Sequence, residues 1–452
     1  MNSHGFIKRW LLAALVAPAL TIMAQPTGDS IPPKVNELKV DLQFMTRGEA
    51  RHGGLMSKGD HSDEEEGEEE KKTPNSNFLL TRTRLAINYK RDWLEARVTP
   101  QHSGVWGQEG KGGFNLFETW VKLNAPFGLF AQVGRMALDY DDERIIGSDD
   151  WAMASSSHDV LRVGYEGHGH KAHVILAYNQ NSTVMTVGDS HYANGAQPYK
   201  TMHTAWYHYD LPRFPLGMSV LFMNVGMESD PDAFTKGTKY QQLIGGYLKF
   251  HPNRWLAEVS YYHQMGKNEF AQKIDAWMMS AKVKFQPANY GFTVGYDYLS
   301  GDDHFAVPTG GSIGMSLHKV IKGFSTVYGS HHKFYGAMDF FYVSTYFNGF
   351  TPGLQNAYFK ANYSPIKGLN INASYHYLAT ATKLEKLDRS LGNEFELQAS
   401  YTITRDIAIS LGGSFMKGTE TMEKLKRSTN KNILRWSWIS LNVNPRIFSF
   451  KW

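Results

Sequence analysis

The chain has 452 residues, 47 lysines and arginines against 43 aspartates and glutamates, and no cysteine. The missing cysteines exclude a disulfide framework, a thiolate metal site and a lipid-modified N-terminal cysteine, and no stretch past the first 24 residues reaches the roughly eighteen apolar residues of a membrane-spanning helix. Eight of the acids crowd into Asp60 to Glu70 (DHSDEEEGEEE), so the remaining chain is basic and suits an anionic solute or polysaccharide as partner, not nucleic acid.

At the N-terminus, Lys8 and Arg9 precede an apolar run from Trp10 to Ile22 that ends in small residues at Ala24. This order predicts a secretory signal peptide over 1–24, too short and wrongly flanked for an anchor. Residues 25–452 carry no linker or composition break, which predicts one large closed structure.

Downstream, apolar and polar residues alternate in segments of about ten. In FLLTRTRLAINY (78–89), Leu79, Leu85, Ile87 and Tyr89 oppose Arg82, Arg84 and Asn88. In WLAEVSYYHQ, Trp255, Val259 and Tyr261 oppose Glu258, Ser260 and Tyr262; in LNINASYHY, Ile371, Tyr375 and Tyr377 oppose Asn372, Ser374 and His376; in NEFELQASYT, Phe395, Leu397 and Tyr401 oppose Glu394, Glu396 and Ser400. Period two over such lengths is β-structure. Short Pro-, Gly-, Asn- or Asp-containing turns alternate with longer polar loops, and together with the signal peptide and the aromatic strand ends they predict an all-β fold. The expected form is a transmembrane antiparallel β-barrel of about 18 strands in the outer membrane of a Gram-negative bacterium, with short periplasmic turns and long extracellular loops.

The strand count turns on HHKFYGAMDFF (331–341). Read as a spanning strand, it gives nineteen strands and puts the short SPIKG turn outside the cell. Single-chain bacterial barrels have even strand numbers. The parity therefore assigns this stretch to one long extracellular loop, 301–353, lying over or into the pore. Near the C-terminus Pro445 interrupts the last strand, since proline cannot donate to a ladder.

A barrel of this size leaves an aqueous lumen. Arg82, Arg84, Arg97, Arg135 and Arg162, with Glu118 and Lys122, fall opposite the apolar face and are the candidate pore lining, although the alternation leaves the phase of Arg135 open. Rings of arginine and lysine select anions, and arginine grips a carboxylate through two hydrogen bonds. The expected activity is a channel for anionic solutes; the alternative is a ligand-binding or adhesion barrel with a closed pore. No catalytic signature stands out, so no enzyme is expected. His168, His170 and His173 (HGHKAH) read as a wet turn before a metal site, and no cofactor is expected beyond weak calcium binding at 60–70.

Several stretches resemble the alginate-export porin family: TRTR (81–84), NLFETW with Glu118, VGR (133–135), LDYDDERIIG from Leu138 followed by Trp151, GYDYLSGDD (295–303) and HKFYGAMDFF. The resemblance implies an eighteen-stranded, monomeric, electropositive pore carrying an anionic polyuronate; whether a periplasmic export partner feeds it stays open in the sequence. It implies basic lining at Arg82, Arg84, Arg135, Arg144 and Arg162, and a loop near the pore that bears Asp302, Asp303, His332, Lys333, Tyr335 and Asp339. The chain departs from the family pattern at Asp141, Met136, His158 to Val160 and the acidic run.

Overall fold

The computed structural model describes residues 35–52, 75–108, 113–179, 199–228, 237–302, 320–341, 351–384, 386–426 and 433–452. The signal segment 1–24, the acidic run 60–70 and Asp303 lie outside them. The strands are β1 (Asn36–His52), β2 (Asn75–Arg91), β3 (Leu94–Val105), β4 (Gly113–Asn124), β5 (Leu129–Met136), β6 (His158–Gly167), β7 (His170–Tyr178), β8 (Thr201–Asp210), β9 (Leu216–Met227) and β10 (Lys239–Phe250). They continue with β11 (Trp255–Lys267), β12 (Lys273–Phe285), β13 (Tyr290–Leu299), the two-residue β14 (Val320–Ile321), β15 (Leu354–Tyr363), β16 (Leu369–Ala379), β17 (Ser390–Thr404), β18 (Ile407–Gly418), β19 (Leu434–Val443) and β20 (Arg446–Lys451). One short helix, α1 (Glu420–Lys426), lies between β18 and β19.

Apart from β14 and the β19–β20 break, each strand pairs antiparallel with the next, β13 with β15, and β1 closes the ring by pairing with β19 over Phe44–His52 and with β20 over Glu37–Asp41. At the break between these two, Leu42 N–H donates to the Pro445 carbonyl at 3.0 Å. Pro445 thus bends one strand without opening the seam. With β19 and β20 as one strand, and β14 attached only by a two-residue parallel pairing to β12, the barrel has eighteen strands. Eight turns at one end and nine connections at the other join them, all but the five-residue β11–β12 connection longer than any of the turns.

Alternation sorts the two faces. Trp255, Val259 and Tyr261 are exposed on the outer wall, while Glu258, Ser260, Tyr262 and Gln264 are buried on the inner one. Exposed aromatic residues form two girdles on the outside. Trp93, Phe127, Phe214, Trp255, Tyr290 and Tyr363 ring the short-turn end, and Trp106, Phe114, Tyr178, Tyr240 and Phe270 ring the long-loop end. Their amphipathic rings suit the two membrane interfaces.

The inner wall is not uniformly polar. From β7 to β13, near the long-loop end, it carries Ile175, Ala177, Met202, Leu221, Met223, Leu243, Ala276, Met278 and Leu299, all buried. Two connections fold inward to cover them. Leu138, Ile145 and Ile146 come from the β5–β6 connection, and Phe324, Tyr335 and Phe341 from the β13–β15 connection. Each such side chain gains about 1.5–3 kcal/mol by leaving water, so the apolar wall holds the loops in the lumen. The loops also bind each other: Gly147 N–H donates to Tyr328 O at 2.8 Å, Tyr328 N–H to Ile145 O at 3.1 Å and Ser330 N–H to Glu143 O at 2.9 Å. His331–Lys333 form a single 3-10 turn, and the chain onward to Phe341 crosses no membrane.

Val294 lies mid-strand on the outer face and is 61% exposed. Val294→Arg should destabilise the barrel by about 2–4 kcal/mol, the cost of an arginine at the bilayer midplane; urea titration of folding into lipid vesicles measures it.

Candidate functional site: the lumen and its inward loops

Three groups of charges occupy the lumen. The first lies where β1, β2 and β3 meet the tip of the β5–β6 connection. Arg82 and Arg84 point inward, and each pairs with Asp150, at 3.1 and 2.8 Å. Arg82 Nη1 also donates to the carbonyls of Asp150 and Ala152 and to Ser155 Oγ, at 3.0 to 3.1 Å. Arg84 Nε donates to Gln101 Oε1 at 2.6 Å and its guanidinium stacks 3.7 Å from the Phe117 ring. Next to Asp150, the Trp151 ring has Arg47 on it at 3.9 Å and lies parallel to His332 at 4.2 Å. Trp436 and Trp438 present edges to it at 5.9 and 5.0 Å.

The second group is centred on Arg144, which is 1% exposed. It pairs with Asp297 of β13 at 3.1 Å and Asp142 at 3.3 Å, donates to Tyr335 Oη at 3.0 Å and stacks on Phe334 at 4.0 Å. Asp297 in turn accepts from Ser280 and Asn356 at 2.7 and 2.8 Å, and Asn356 contacts His376. A buried cation survives only when paired in this way. Burial works against its charge, but Asp297, Tyr335 and Asp142 outweigh that and hold the guanidinium pKa above its ordinary value. Burial also pushes the Tyr335 hydroxyl up to about 12. Gly295 leaves room in this layer, because a Cβ there would lie 2.2 Å from the Tyr358 ring.

The third group lines the half nearer the short turns. Arg97 pairs with Glu118 at 2.7 Å, Lys282 pairs with Glu258, and Lys122 and Lys360 lie over the Phe130 and Tyr358 rings at 4.4 and 5.5 Å. Midway up, Arg162 donates to Gln132 Oε1 and to Tyr140 Oη.

Arg82, Arg84, Arg97, Glu118, Lys122 and Arg162 therefore face the lumen, and Arg144 enters it from a loop. Arg135 does not. It is in phase with Leu129 and Val133 on the outer wall and makes a two-point contact with Asp159 at 2.8 and 2.7 Å, near the long-loop rim. This corrects its reading as pore lining; the lumenal residues of β5 are Phe130, Gln132 and Met136. Of the loop residues, His332 contacts Asp339, Lys333 pairs with Glu143, and Asp302 accepts the Lys322 N–H at 2.7 Å. Arg47 with Glu49 (2.8 Å), Asp297, Trp436 and Trp438 belong to the site without having been singled out. The alternation in LQFMTRGEAR and RWSWIS carried the signal for the first pair and the tryptophans. Glu394 is a further anchor, accepting the Ala337 and Met338 N–H groups at 2.7 and 3.0 Å. His173 of the HGHKAH stretch contacts Glu166 and Tyr140, and no metal-ligating cluster occurs among the described residues.

Residues 108–434 match the family model described as alginate export. The chain belongs to the alginate export family. This alginate export barrel also resembles solved outer-membrane porins from Pseudomonas aeruginosa. OccK5 (OpdH) gives a TM-score of 0.56 at 10% identity, covering 91% of this chain and 98% of that one. OccK2 (OpdF) in complex with glucuronate gives 0.59 at 11%, covering 91% and 98%, and OpdK with vanillate gives 0.58 at 11%, covering 91% and 99%. No curated protein sequence matches the chain. Family and fold make the alginate export barrel an outer-membrane channel of a Gram-negative bacterium, a class of porins and not of enzymes.

Two outcomes test how the loops are held. Asp297→Ala strands Arg144 beside Asp142 alone and should cost about 3–5 kcal/mol of loop docking; hydrogen exchange over 137–157 reads the loss, and adding Arg144→Met should recover most of it. Asp141 accepts from Trp206 Nε1 at 3.1 Å, and burial raises its carboxyl pKa. A raised folded-state pKa means docking loses stability as pH climbs from the ordinary carboxylate range through the shifted value. Asp141→Asn should therefore dock more tightly than wild type by a margin that widens from about pH 4 upward, as followed by exchange protection across pH.

Proposed function

We propose that the channel passes carboxylated solutes, with uronates, free or within a polysaccharide, as the first candidates. The observation that carries this reading is the belt of Arg97, Lys122, Lys282 and Lys360 on the lumenal wall nearer the short turns, where cations sit beside acids and aromatic rings. Mixed rings of this kind attract anions and still release them. The family description and the carboxylates in the OccK2 and OpdK structures support the same class.

A second reading, a binding barrel that conducts nothing, is favoured by the two loops folded into the lumen. Single-channel recording separates the two. In a salt gradient across a planar bilayer, the conducting reading expects an anion-selective reversal potential that moves toward cations in Lys122→Glu/Lys360→Glu. A barrel without current would leave the binding reading standing, and a current whose selectivity is indifferent to both lysines would overturn the role given to the belt.

A further inference from the structure

The tip of the β5–β6 connection offers its neighbours an unusual dipeptide. Asp150 presents a carboxylate, and Trp151, next in the chain, presents a flat ring. The carboxylate rests on two inward arginines of β2, and the ring rests between the Arg47 guanidinium and the His332 imidazole with two tryptophan edges around it. Paired guanidinium groups are a carboxylate receptor; a cation on one ring face and a parallel ring on the other form a receptor for a flat or weakly puckered ring. The wall therefore holds the two halves of a site for a cyclic monocarboxylate, and the chain fills that site with its own residues.

Three observations favour an exchangeable filling over a permanent tie. The Asp150 side chain is 63% exposed while those of Arg82 and Arg84 are 5% and 4% exposed, so the anion sits at the open side of a buried receptor. Both arginines keep a buried nitrogen, Arg82 Nε and Arg84 Nη2, with no acceptor among the described residues, so the receptor has donors that the present occupant does not use. The tip is a closed turn, with Ser156 N–H donating to Ser148 O at 2.6 Å and left-handed φ at Asp149 and Ser155 of 48° and 52°. Its backbone is tied outward by Arg47 and Gln101 donating to the Trp151 and Ala154 carbonyls, both at 3.0 Å, and by the Asp149 N–H donating to Ser330 Oγ at 2.9 Å, bonds that water can replace if the tip leaves as a unit while Ile145 and Ile146 stay packed in the apolar layer.

We infer that Asp150 and Trp151 are an internal, displaceable ligand occupying a lumenal site for a ring bearing one carboxylate, either a monouronate or an aromatic acid. The inference deepens the anion-channel reading and rests on it. A solute binds only to the fraction of molecules whose tip has left, which lowers its apparent affinity by that fraction.

The test uses the full chain refolded in detergent, with heat-modifiable gel migration as the check on barrel closure. Calorimetric titration with glucuronate, benzoate, glucose and benzyl alcohol compares wild type, Asp150→Asn, Trp151→Ala and Asp150→Asn/Trp151→Ala. With the site emptied, both carboxylates, or one of them, should bind about tenfold more tightly than to wild type. The neutral compounds should gain nothing, and adding Arg82→Ala/Arg84→Ala should abolish the gain. Glucuronate gaining alone would assign the site to sugar acids, benzoate gaining alone to aromatic acids. Unchanged or weaker carboxylate binding in all three variants, or an equal gain for glucose and benzyl alcohol, would overturn the inference. Bilayer recordings on the same preparations keep the parent reading apart: anion selectivity with no gain in binding sinks only the internal ligand, whereas absence of anion selectivity sinks the channel reading.

Discussion

Hydrocarbon offers no hydrogen-bond partner to a peptide group, so each strand that crosses it must be paired on both sides. That requirement sends β1 to β19 and β20, forces a closed ring, and lets Pro445 stand only where Leu42 can reach its carbonyl across the bend. Eighteen strands then enclose more space than inward side chains alone can fill. The outer wall becomes the apolar one, and the inner wall is free to vary.

The variation is what builds the site. One sector, β7 to β13, turns apolar residues inward and so demands a cover, which the β5–β6 and β13–β15 connections supply. Their entry carries Arg144 into a low-dielectric layer, where it must meet Asp297, and brings the exposed Asp150 onto Arg82 and Arg84. Apolar packing thus decides that the loops go in, and ion pairing decides where they stop. On the wall nearer the short turns Arg97, Lys122 and Lys360 are only half-buried, and their charges stay available to water and solute.

Much of this was legible in the chain. Strict alternation gave the strands, turn length gave sidedness, and parity excluded His331 to Phe341 from the membrane. The inward direction of Arg82, Arg84, Arg97 and Arg162 followed from the same period of two. The failures have physical causes. In β5 apolar residues fall on both faces, Leu129 and Val133 outward and Phe130 and Met136 inward, so the alternation does not fix the phase near Gly134, and Arg135 came out on the outer wall. Strands such as LGMSVLFMNVGM are apolar on both faces, a pattern that marks a covered inner wall and that a two-faced reading overlooks. The partners of Arg82, Arg84 and Arg144 could not be read, because Asp150 and Asp297 meet them through loop docking across long stretches of sequence.

The surroundings of Trp151 come from both ends of the chain: Arg47 stands on β1, Trp436 and Trp438 on β19, and His332 on a connection far from each. No contiguous fragment of the barrel contains this set. During assembly the first and last strands must zip together before the tryptophan finds its place, so the box forms after closure and not before. An arrested, unclosed barrel could still pair β1 with β2 and so place Arg47, Arg82 and Arg84, but would leave Trp436 and Trp438 away from Trp151.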